Sequence, residues 1–437
     1  MTNTTRIALL VTLAAVARPS AQSTGPSPLA ADADRLAAAV QPKVVSWRRD
    51  FHQHPELGNQ EVRTAGIVAQ HLKALGFEVQ TDVAHTGVVG VLRGAKPGKV
   101  VALRADMDGL PVTEEVDLPF ASKVRATWNG EEVGVMHACG HDNHVAILMG
   151  VAEVLAGLKD RLPGTVKLLF QPAEEGGPQI GEVAGAELMI KEGAFDNPKP
   201  DAVFGLHVFP FPVGTVAYRS GGAMASTDDL RIVIRGAQTH GAMPWRGIDP
   251  IVVASQVILG LQTVVSRQID VTLTPSIVTV GLIRGGVRAN IIPDQVEMAG
   301  TIRTFDEGTR DEIHRRVQRT AEAIASAAGA TAQVTINRNY PVTYNDPALT
   351  DRMLPTLKRA AGAEHVVAVP PTTTAEDFSY FAQKAPGLFL FLGVTPSSQD
   401  PATAAPNHSP RFFADEGALP VGVRTLTHLA LDFLAQP

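Results

Sequence analysis

The pattern of hydrophobic and polar positions in the first half of the chain predicts helices that alternate with short buried strands. Residues 31–51 and 61–75 carry apolar side chains at helical spacing, and Gly76 is a typical helix end. A further helix is predicted at 145–155, and continuous apolar runs typical of buried strands lie at 77–80, 88–92, 100–103, 166–170 and 202–206. Because helices cover such strands on both faces of a sheet, the pattern predicts an α/β domain.

The pattern changes near Gly221, where a second unit is predicted to begin. Residues 229–234 alternate polar and apolar side chains, as half-buried strands do, and Asp249-Pro250 is typical of a helix start. The predicted elements that follow are this helix to about 267, strands at 276–282 and 295–303, a helix at 310–328 and a strand at 332–337. This β-α-β-β-α-β order is ferredoxin-like. We therefore expect a smaller α+β domain at 222–337, inserted into a larger domain formed by 30–221 and 338–437.

The composition and net charge of the chain argue against some classes of binding partner. The 437 residues are 45% hydrophobic and 19% charged, as in ordinary globular proteins, and the length predicts two or three domains. A net charge of -6 without a polybasic run argues against nucleic acid and against an anionic membrane surface as partners. No apolar stretch reaches the roughly 20 residues that a transmembrane helix needs.

The first 21 residues have the layout of a secretory signal peptide. A short polar start with one cation precedes an apolar run at 7–17, and small residues at 15–17 and 19–21 are candidate cleavage points. The sequence thus predicts an exported protein, periplasmic or secreted, unless the segment is an uncleaved anchor or precedes the true start. The chain has one cysteine, Cys139, which excludes an internal disulfide.

A nine-residue segment, 136–144, holds this cysteine together with three histidines and an aspartate. A thiolate close to an imidazole is a credible ligand pair for Zn²⁺ or a similar ion. The segment could instead contain a buried cysteine beside surface histidines, or a thiol nucleophile activated by His137 or His141. The nucleophile is the weaker alternative, because an exported free thiol is easily oxidised.

Further candidate ligands follow the predicted strands. They are Asp106 and Asp108 after 100–103, Glu174 and Glu175 after 166–170, His207 after 202–206, and His408 in a loop before a last helix predicted at 417–434. Each alone is more often a solvated loop residue, a helix cap or a core histidine. Because open α/β sheets place their sites at these strand ends, the set together predicts a metal centre. The sequence contains no serine nucleophile elbow, phosphate-binding loop or dinucleotide fingerprint.

Six segments together resemble the M20 metallopeptidases. They are 47–57 (WRRDFHQHPEL), 104–111 (RADMDGLP), 136–142 (MHACGHD), 171–176 (QPAEEG), 376–380 (EDFSY) and 408–410 (HSP). More narrowly, the chain is similar to the amidohydrolase branch that holds hippurate hydrolases, N-acyl-amino-acid aminoacylases and plant auxin-conjugate hydrolases. The similarity runs in order from about residue 40 to the C-terminus. One departure is the polar stretch 372–375 (TTTA), where this branch is expected to carry Met or Gly, and it bears on acyl-group specificity.

The resemblance implies a catalytic domain with a mixed sheet flanked by helices, a di-metal centre, and an inserted lid that usually forms a homodimer. The implied ligands of two divalent ions, either Zn, Mn or Co, are Cys139, His141, Glu175, His207 and His408, with the cysteine bridging the ions. Glu174 is the implied general base. Asp108 matches an acid that lies near the site and supports it.

Two lid residues become candidates through the resemblance alone. His240, within 238–244 (QTHGAMP), matches a histidine that reaches the active site of the partner subunit, where it would contact substrate and stabilise the tetrahedral intermediate. Asn290, within 288–293 (RANIIP), matches an asparagine that helps to hold the substrate. Without the resemblance, both segments would be interpreted as plain turns.

The implied reaction is hydrolysis of the amide bond of an N-acyl-amino acid, which yields a carboxylic acid and a free amino acid. A metal-bound water would attack, with Glu174 as the base. The alternative within hydrolases is a dipeptidase or carboxypeptidase acting on short peptides. A binding protein that has kept the fold without catalysis is a third possibility, and the intact candidate ligands and Glu174 argue against it.

Overall fold

A large and a smaller sheet form the frame of the molecule in the computed structural model, which describes residues 25–177 and 183–436. Within these ranges the large sheet has eight strands and the smaller one has four, and two-stranded ribbons accompany them. The signal peptide predicted at 1–21 lies outside the described residues and stays a prediction.

The first part of the larger domain supplies most of the eight-stranded sheet. Its elements in chain order are α1 (Ala30–Gln53), α2 (Val62–Ala74), β1 (Glu78–Val83), β2 (Gly87–Arg93), β3 (Lys96–Asp106), β4 (Arg125–Trp128), β5 (Glu131–Gly134), α3 (His141–Gly157), β6 (Pro163–Gln171), α4 (Gly185–Lys191), β7 (Ala202–Pro212), β8 (Val216–Tyr218) and β9 (Gly221–Met224). Each strand predicted in this part of the sequence is present, with bounds that differ by a few residues.

The smaller sheet and its helices are built from residues 228–338, which we call the lid. The lid elements are β10 (Asp228–Arg235), β11 (Thr239–His240), α5 (Pro250–Thr263), β12 (Ser276–Gly285), β13 (Ile291–Ile292), β14 (Gln295–Thr304), α6 (Glu307–Ala327) and β15 (Thr331–Arg338). The strand order is β12-β14-β10-β15, and every neighbouring pair is antiparallel. This is the ferredoxin-like arrangement that the sequence predicted.

The C-terminal part returns to the large sheet. Its elements are β16 (Thr343–Asn345), α7 (Pro347–Ala361), β17 (Val366–Ala368), α8 (Phe378–Ala382), β18 (Gly387–Thr395) and α9 (Leu419–Ala435). The order of the large sheet is β1-β2-β6-β3-β7-β18-β8-β17, and the pairs β6·β3, β3·β7 and β7·β18 are parallel whereas β1·β2 and β2·β6 are antiparallel. Helices α1, α3 and α9 share one apolar core, and α4 and α8 share the other. The predicted mixed sheet flanked by helices is confirmed.

Helix α3 begins four residues earlier than the sequence predicted. Its apolar periodicity starts at Val145, but the helix starts at His141, directly after Gly140. Gly140 has a φ of +91°, and a Cβ there would lie 2.3 Å from Val208 Cγ2, so that glycine alone fits. The first turn was missed because its side chains are polar, although they are buried. His141 is therefore held by a helix rather than by a loop.

Helix α5 has one buried and one exposed apolar face. By length and hydropathy alone, the stretch Pro250–Gln268, which adds a π-helical turn to α5, would suit a membrane span, and 33% of its apolar window is buried within the protein. The buried side chains pack in the lid core, and the exposed ones include Ile251, Val252 and Leu259. The apolar composition thus serves the lid core on one side and leaves an uncovered apolar surface on the other.

Arg310 of α6 contacts both connections between the lid and the larger domain, one at residues 227–228 and the other at residue 339. Its buried guanidinium donates to Asp228 Oδ1 at 2.6 Å, to Thr227 O at 3.2 Å and to Asn339 O at 3.4 Å. His314 Nε2 lies 2.7 Å from Asp228 Oδ2. Burial alone would raise the pKa of Asp228, but His314 and Arg310 outweigh burial and hold that pKa below its usual value.

Replacing Asp228 with alanine should destabilise the fold, because the buried Arg310 guanidinium loses the carboxylate that accepts from its Nε and Nη2. Among the described residues it then keeps only the carboxylate of Glu307, at 3.2 Å from Nη1. We expect the free energy of unfolding to fall by about 3 kcal/mol at pH 7, measured by urea denaturation. Since the native pKa of Asp228 is lowered, its stabilisation is present above the unfolded pKa of about 4 and is lost as the pH falls below it. The alanine variant should therefore lose less stability than the wild type on acidification from pH 5 to pH 3.

A matched control breaks an exposed ion pair on the same strand. Arg231 Nε lies 2.6 Å from Glu297 Oε1 on the lid surface, and Arg231→Ala should change the free energy of unfolding by less than about 1 kcal/mol. Equal losses in the two variants, or an Asp228→Ala variant with the acid sensitivity of the wild type, would contradict the role assigned to Asp228.

Candidate metal centre

Parallel strands and one helix bring the candidate ligands to one end of the large sheet. Strand β3 ends at Asp106, β6 is followed by Glu174 and Glu175, and His207 lies on β7 just beyond its pairing with β3. Helix α3 starts at His141. Because the carboxyl ends of parallel strands meet at one edge, these side chains share a crevice, as open α/β sheets arrange their sites.

The five ligands implied by the family resemblance lie together. Cys139 Sγ is 3.3 Å from His207 Nε2 and 3.3 Å from His408 Nε2. His408 Nε2 is also 2.8 Å from Glu175 Oε1, and ligand atoms of Cys139, His141 and Glu175 lie within 4.8 Å of one another. Cys139 contacts both histidines and lies near Glu175 and His141, so it is central in the cluster, as the resemblance to the family implies.

Hydrogen bonds orient the two buried histidines so that one nitrogen of each faces the cluster. His141 Nδ1 lies 3.1 Å from Asp108 Oδ1, whereas its buried Nε2 has no hydrogen-bond partner among the described residues. His207 Nδ1 donates to Val208 O at 2.7 Å, which leaves Nε2 directed at Cys139. Asp108 also accepts the backbone N–H of Glu175 at 2.9 Å. A buried imidazole nitrogen without a partner, set among thiol and carboxylate groups, fits a divalent cation, and Asp108 holds two of the candidate ligands in place.

Asp106 and His144 lie beside the cluster with their polar atoms already engaged. His144 Nδ1 contacts Asp106 Oδ1, and His144 Nε2 accepts the backbone N–H of Val208 at 2.8 Å. The other Asp106 oxygen accepts from Arg104 Nη1 at 2.6 Å. Their ligand atoms lie near those of His141 and His207, but each is already hydrogen-bonded within the described part of the chain.

Arg104 is a functional residue that was not assigned from the sequence. Its guanidinium is buried and donates to Glu376 Oε1 at 2.7 Å, to Asp377 Oδ1 at 3.0 Å and to Gln171 Oε1 at 2.8 Å. The arginine therefore balances the negative charge of Asp106, Glu376 and Asp377 behind the site. The signal available in the sequence was that both 104–111 and 376–380 belong to the segments that resemble the family.

The adjacent glutamates have different surroundings. Glu174 is 5% exposed, and its Oε2 lies 4.0 Å from His141 Nε2. Burial and the carboxylates of Glu376 and Glu175 raise the pKa of Glu174 well above its usual range. Burial alone would raise the pKa of Glu175 too, but His408, His141 and Cys139 together outweigh burial and lower it. These surroundings thus favour the protonated form of Glu174 and the anionic form of Glu175.

The surroundings of Cys139 do not fit an activated thiol. Burial and the acidic side chains of Glu175 and Glu174 raise the pKa of the Cys139 thiol well above its usual value. Burial also lowers the pKa of His207, which therefore stays neutral beside it. Because reactive thiolates form in electropositive surroundings, the thiol-nucleophile alternative is disfavoured.

The cluster opens into a cavity of about 340 Å³ whose wall includes the lid residue Arg303. Other wall residues that are not candidate ligands are Phe209, Met224, Thr373, Thr374, Ala375, Glu376 and Asn407. Three residues of the polar stretch 372–375 therefore line the cavity, where they can bear on acyl-group specificity. Arg303 Nε donates to Thr301 Oγ1 at 3.2 Å, and no carboxylate of the described residues forms an ion pair with its guanidinium. Sequence reasoning missed Arg303, because a single arginine near the end of a lid strand carries no local signal.

His240 and Asn290 lie next to each other on the lid surface. Strand β11, which ends at His240, pairs with β13, and Gly241 N donates to Asn290 O at 2.9 Å. Both residues are exposed, and neither lines the cavity of its own chain. The structure therefore brings the two predicted lid residues together, but it does not bring them to the candidate ligands of the same chain.

The family of the chain follows from comparison with known proteins. The family model described as Peptidase family M20/M25/M40 matches residues 102–432. The chain belongs to this family. Thermostable carboxypeptidase 1 of Saccharolobus solfataricus is 41% identical to this M20 protein over 397 residues, which cover 90% of the chain and 96% of the relative. N-acetyl-L-cysteine deacetylase of Bacillus subtilis is 39% identical over 383 residues, which cover 87% of the chain and 86% of the relative.

A solved structure extends the match to the whole fold. The YXEP protein of Bacillus subtilis, described as a dinuclear metal binding peptidase from the M20 family, superimposes with a TM-score of 0.74 at 35% identity. The match covers 91% of this chain and 99% of the YXEP chain. This M20 member is thus a metal-dependent hydrolase of amide bonds, and its buried cluster of cysteine, histidine and carboxylate groups suits the dinuclear site of the family.

Proposed function

We propose that this M20 hydrolase cleaves the amide bond of N-acyl-amino acids to a carboxylic acid and a free amino acid. The observation that carries the proposal is the shared cavity, which is lined by four of the five candidate metal ligands (Cys139, Glu175, His207 and His408) together with the acid Glu174 and Arg303. An N-acyl-amino acid offers one group to each of these: an amide carbonyl for the cations, a leaving nitrogen for Glu174 and a carboxylate for Arg303.

Two divalent cations, either Zn, Mn or Co, would be held by Cys139, His141, Glu175, His207 and His408. When bound, they would supply an acidified water and charge stabilisation for the oxyanion. The candidate ligands are arranged to bind such cations. Hydrogen bonds orient His141 and His207, and Cys139 contacts both His207 and His408.

Glu174 would accept a proton from the attacking water and return it to the leaving nitrogen. Its position supports this role, because it lines the cavity and, among the described residues, no hydrogen bond holds its carboxyl in the way that His408, at 2.8 Å, holds Glu175. The raised pKa means that nearby positive charge is needed to ionise Glu174 at neutral pH, and a carboxyl group with a pKa near the working pH is an effective proton carrier.

Arg303 would bind the substrate carboxylate. Replacing it with alanine should raise KM about 10- to 100-fold, because a charge-assisted hydrogen bond to the ground state and transition state is lost, while kcat changes little. Steady-state kinetics with an N-acyl-amino acid and with its C-terminal amide would measure this. The amide, which has no carboxylate, should be hydrolysed equally by both enzymes.

The control for this prediction is Arg338→Ala. Arg338 forms an ion pair with Asp311 and does not line the 340 Å³ cavity, so its loss should leave KM unchanged. A KM for the acid that is the same in Arg303→Ala and wild type would refute carboxylate binding by Arg303.

We further propose a homodimer formed through the lid, in which His240 and Asn290 complete the cavity of the partner subunit. Three exposed apolar side chains of α5 support it, since Ile251 is 45%, Val252 is 53% and Leu259 is 70% exposed. Uncovered apolar groups on one face are typical of an interface between subunits. The exposure of His240 and Asn290, away from the cavity of their own chain, also supports action across such an interface.

A carboxypeptidase acting on short peptides is the second candidate. It is favoured by the 41% identity to Thermostable carboxypeptidase 1, and by Arg303, which could bind the C-terminal carboxylate of a peptide as well. We also propose that the mature protein is exported, which rests on the layout of residues 1–21 in the sequence.

The test is hydrolysis by the metal-stripped protein after reloading with Zn²⁺, Mn²⁺ or Co²⁺. The substrate panel would contain N-acetyl, N-benzoyl and N-indoleacetyl amino acids beside simple dipeptides. Metal-dependent release of amino acid from the N-acyl set is the expected result. Cleavage of dipeptides alone would transfer the assignment to the peptidase, and activity that survives complete chelation would overturn both.

A further inference from the structure

The segment 56–61, between α1 and α2, contacts both loops that carry the active-site acids. Glu56 O accepts the backbone N–H of Gly109 at 2.7 Å, next to Asp108. On the other side, a Cβ on Gly58 would lie 2.2 Å from Gly176 O and 3.1 Å from Ala173 Cβ, so that glycine permits a close approach to the loop 173–176. This segment is therefore placed to fix the two loops relative to each other.

Glu61 makes the side-chain contact to the loop of the general base. Its carboxyl is fully buried, and Oε1 accepts the backbone N–H of Ala173 at 2.8 Å. The Thr86 hydroxyl, from the β1–β2 turn, donates to Oε2. Glu61 thus connects helix α2, the β1–β2 turn and the residue directly before Glu174.

Ala173 needs such a contact because of its backbone conformation. Its φ is +46°, in the left-handed region, which costs a residue with a side chain about 1–3 kcal/mol and persists only where the surroundings impose it. Ala173 is also buried, so its N–H would otherwise lack a partner away from water. The hydrogen bond from Ala173 to Glu61 satisfies this group in the conformation that sets the direction of the next side chain.

We propose that Glu61 is a positioning residue for Glu174: by accepting the Ala173 N–H it holds the backbone turn that aims the Glu174 carboxyl into the cavity. This inference rests on the proposed role of Glu174 as the general base. Glu61 itself does not line the cavity, and it acts through the backbone of residue 173.

The two hydrogen bonds of the Glu61 carboxyl suggest a matched pair of variants, one with glutamine and one with alanine. Burial, and next the charge of Asp108, raise the pKa of Glu61 to about 8, so that a neutral group serves at this place at neutral pH. Glutamine can make both contacts, because its oxygen accepts from Ala173 and the Thr86 hydroxyl can rotate to accept from its amide, as it would from a protonated Glu61. Alanine can make neither.

The test compares kcat, KM and bound metal in Glu61→Gln and Glu61→Ala. We expect Glu61→Gln to retain kcat within about threefold, and Glu61→Ala to lose about 100-fold in kcat with little change in KM, as for a misplaced catalytic group. Thr86→Val, a milder change that removes the hydroxyl, should give a smaller loss of kcat and serves if the alanine variant does not fold. Equal kcat values per folded, metal-loaded molecule in wild type and Glu61→Ala would overturn the proposal, as would an equal loss in the Gln and Ala variants.

Asp432→Ala is the control. It removes a buried carboxyl group that has no contact with the loop of Glu174. Asp432 is 4% exposed and also accepts a backbone N–H, from Ser27 at 2.8 Å, and a threonine hydroxyl, from Thr356 at 2.7 Å. Its removal should lower thermal stability and leave kcat of the folded enzyme unchanged.

A double variant separates this proposal from the proposed function. In a Glu174→Gln background, Glu61→Ala should cause no further loss of kcat, because a residue that acts through Glu174 has nothing left to position. A further 100-fold loss there would show a role independent of Glu174 and overturn the positioning role. Wild-type activity of Glu174→Gln alone would instead refute the general base.

Discussion

Replacing Glu174 with glutamine is expected to lower kcat roughly 10²- to 10⁴-fold while the protein keeps its metal. Glutamine has the same shape as the neutral glutamic acid, so the packing of this 5% exposed side chain should survive. The variant cannot take a proton from water, which is the step assigned to Glu174. Steady-state kinetics on an N-acyl-amino acid and elemental analysis of the purified variant would measure both quantities.

The neighbouring residue provides a matched control. Glu175→Gln removes a carboxylate one position further along, where Oε1 lies 2.8 Å from His408 Nε2 in the group of candidate ligands. We expect this variant to retain less metal than the wild type, since an amide is a weaker ligand than a carboxylate. Near wild-type turnover in metal-loaded Glu174→Gln would refute its role as the base. Metal loss in that variant with retention in Glu175→Gln would reverse the two roles.

The metal centre could be predicted from the sequence where strands and ligands are close along the chain. The apolar runs at 100–103 and 166–170 locate two parallel strands, and Asp108, Glu174 and Glu175 follow these runs directly. Because such strands end at one edge of a sheet, sequence position alone places these acids near each other. Cys139 and His141 could be predicted as ligands because the segment 136–144 contains so many residues of the types that bind metals.

Long-range contacts could not be predicted in this way. His408 meets Cys139 across 269 positions of sequence, and Arg104 meets Glu376 across 272. Both depend on β18 lying beside β7, and β18 was not predicted. All nine of its residues are buried, and this run has the same continuous apolar pattern as the strands predicted in the first half. The pattern does not show that the strand lies beside β7. From its position alone His408 was only a loop histidine among the candidates, and the family resemblance implied its role as a ligand, whereas Arg303 and Arg104 required the structure.

Replacing His240 with alanine is expected to lower kcat roughly 10²- to 10³-fold, as does the loss of one group that stabilises an oxyanion, with a normal metal content. In this structure His240 cannot contact a substrate in the cavity of its own chain, because it is exposed and does not line the cavity that holds Glu174. The loss of kcat would therefore come from the cavity of a partner subunit. Its Nδ1 accepts the backbone N–H of Ala242 at 3.0 Å, which leaves Nε2 free to meet a group outside its own chain.

Mixing this variant with Glu174→Gln distinguishes action within one chain from action across a dimer. After subunit exchange, each heterodimer would contain one cavity with Glu174 from one chain and His240 from the other, and one cavity that lacks both. Random pairing of equal amounts should therefore restore about a quarter of the wild-type rate. Each variant incubated alone under the same exchange conditions is the control. Differently tagged subunits would demonstrate the exchange. If the rate does not recover although exchange occurs, His240 does not act across the dimer. The lid would then have to bring His240 to the cavity of its own chain by a large rotation about the connection at Arg310.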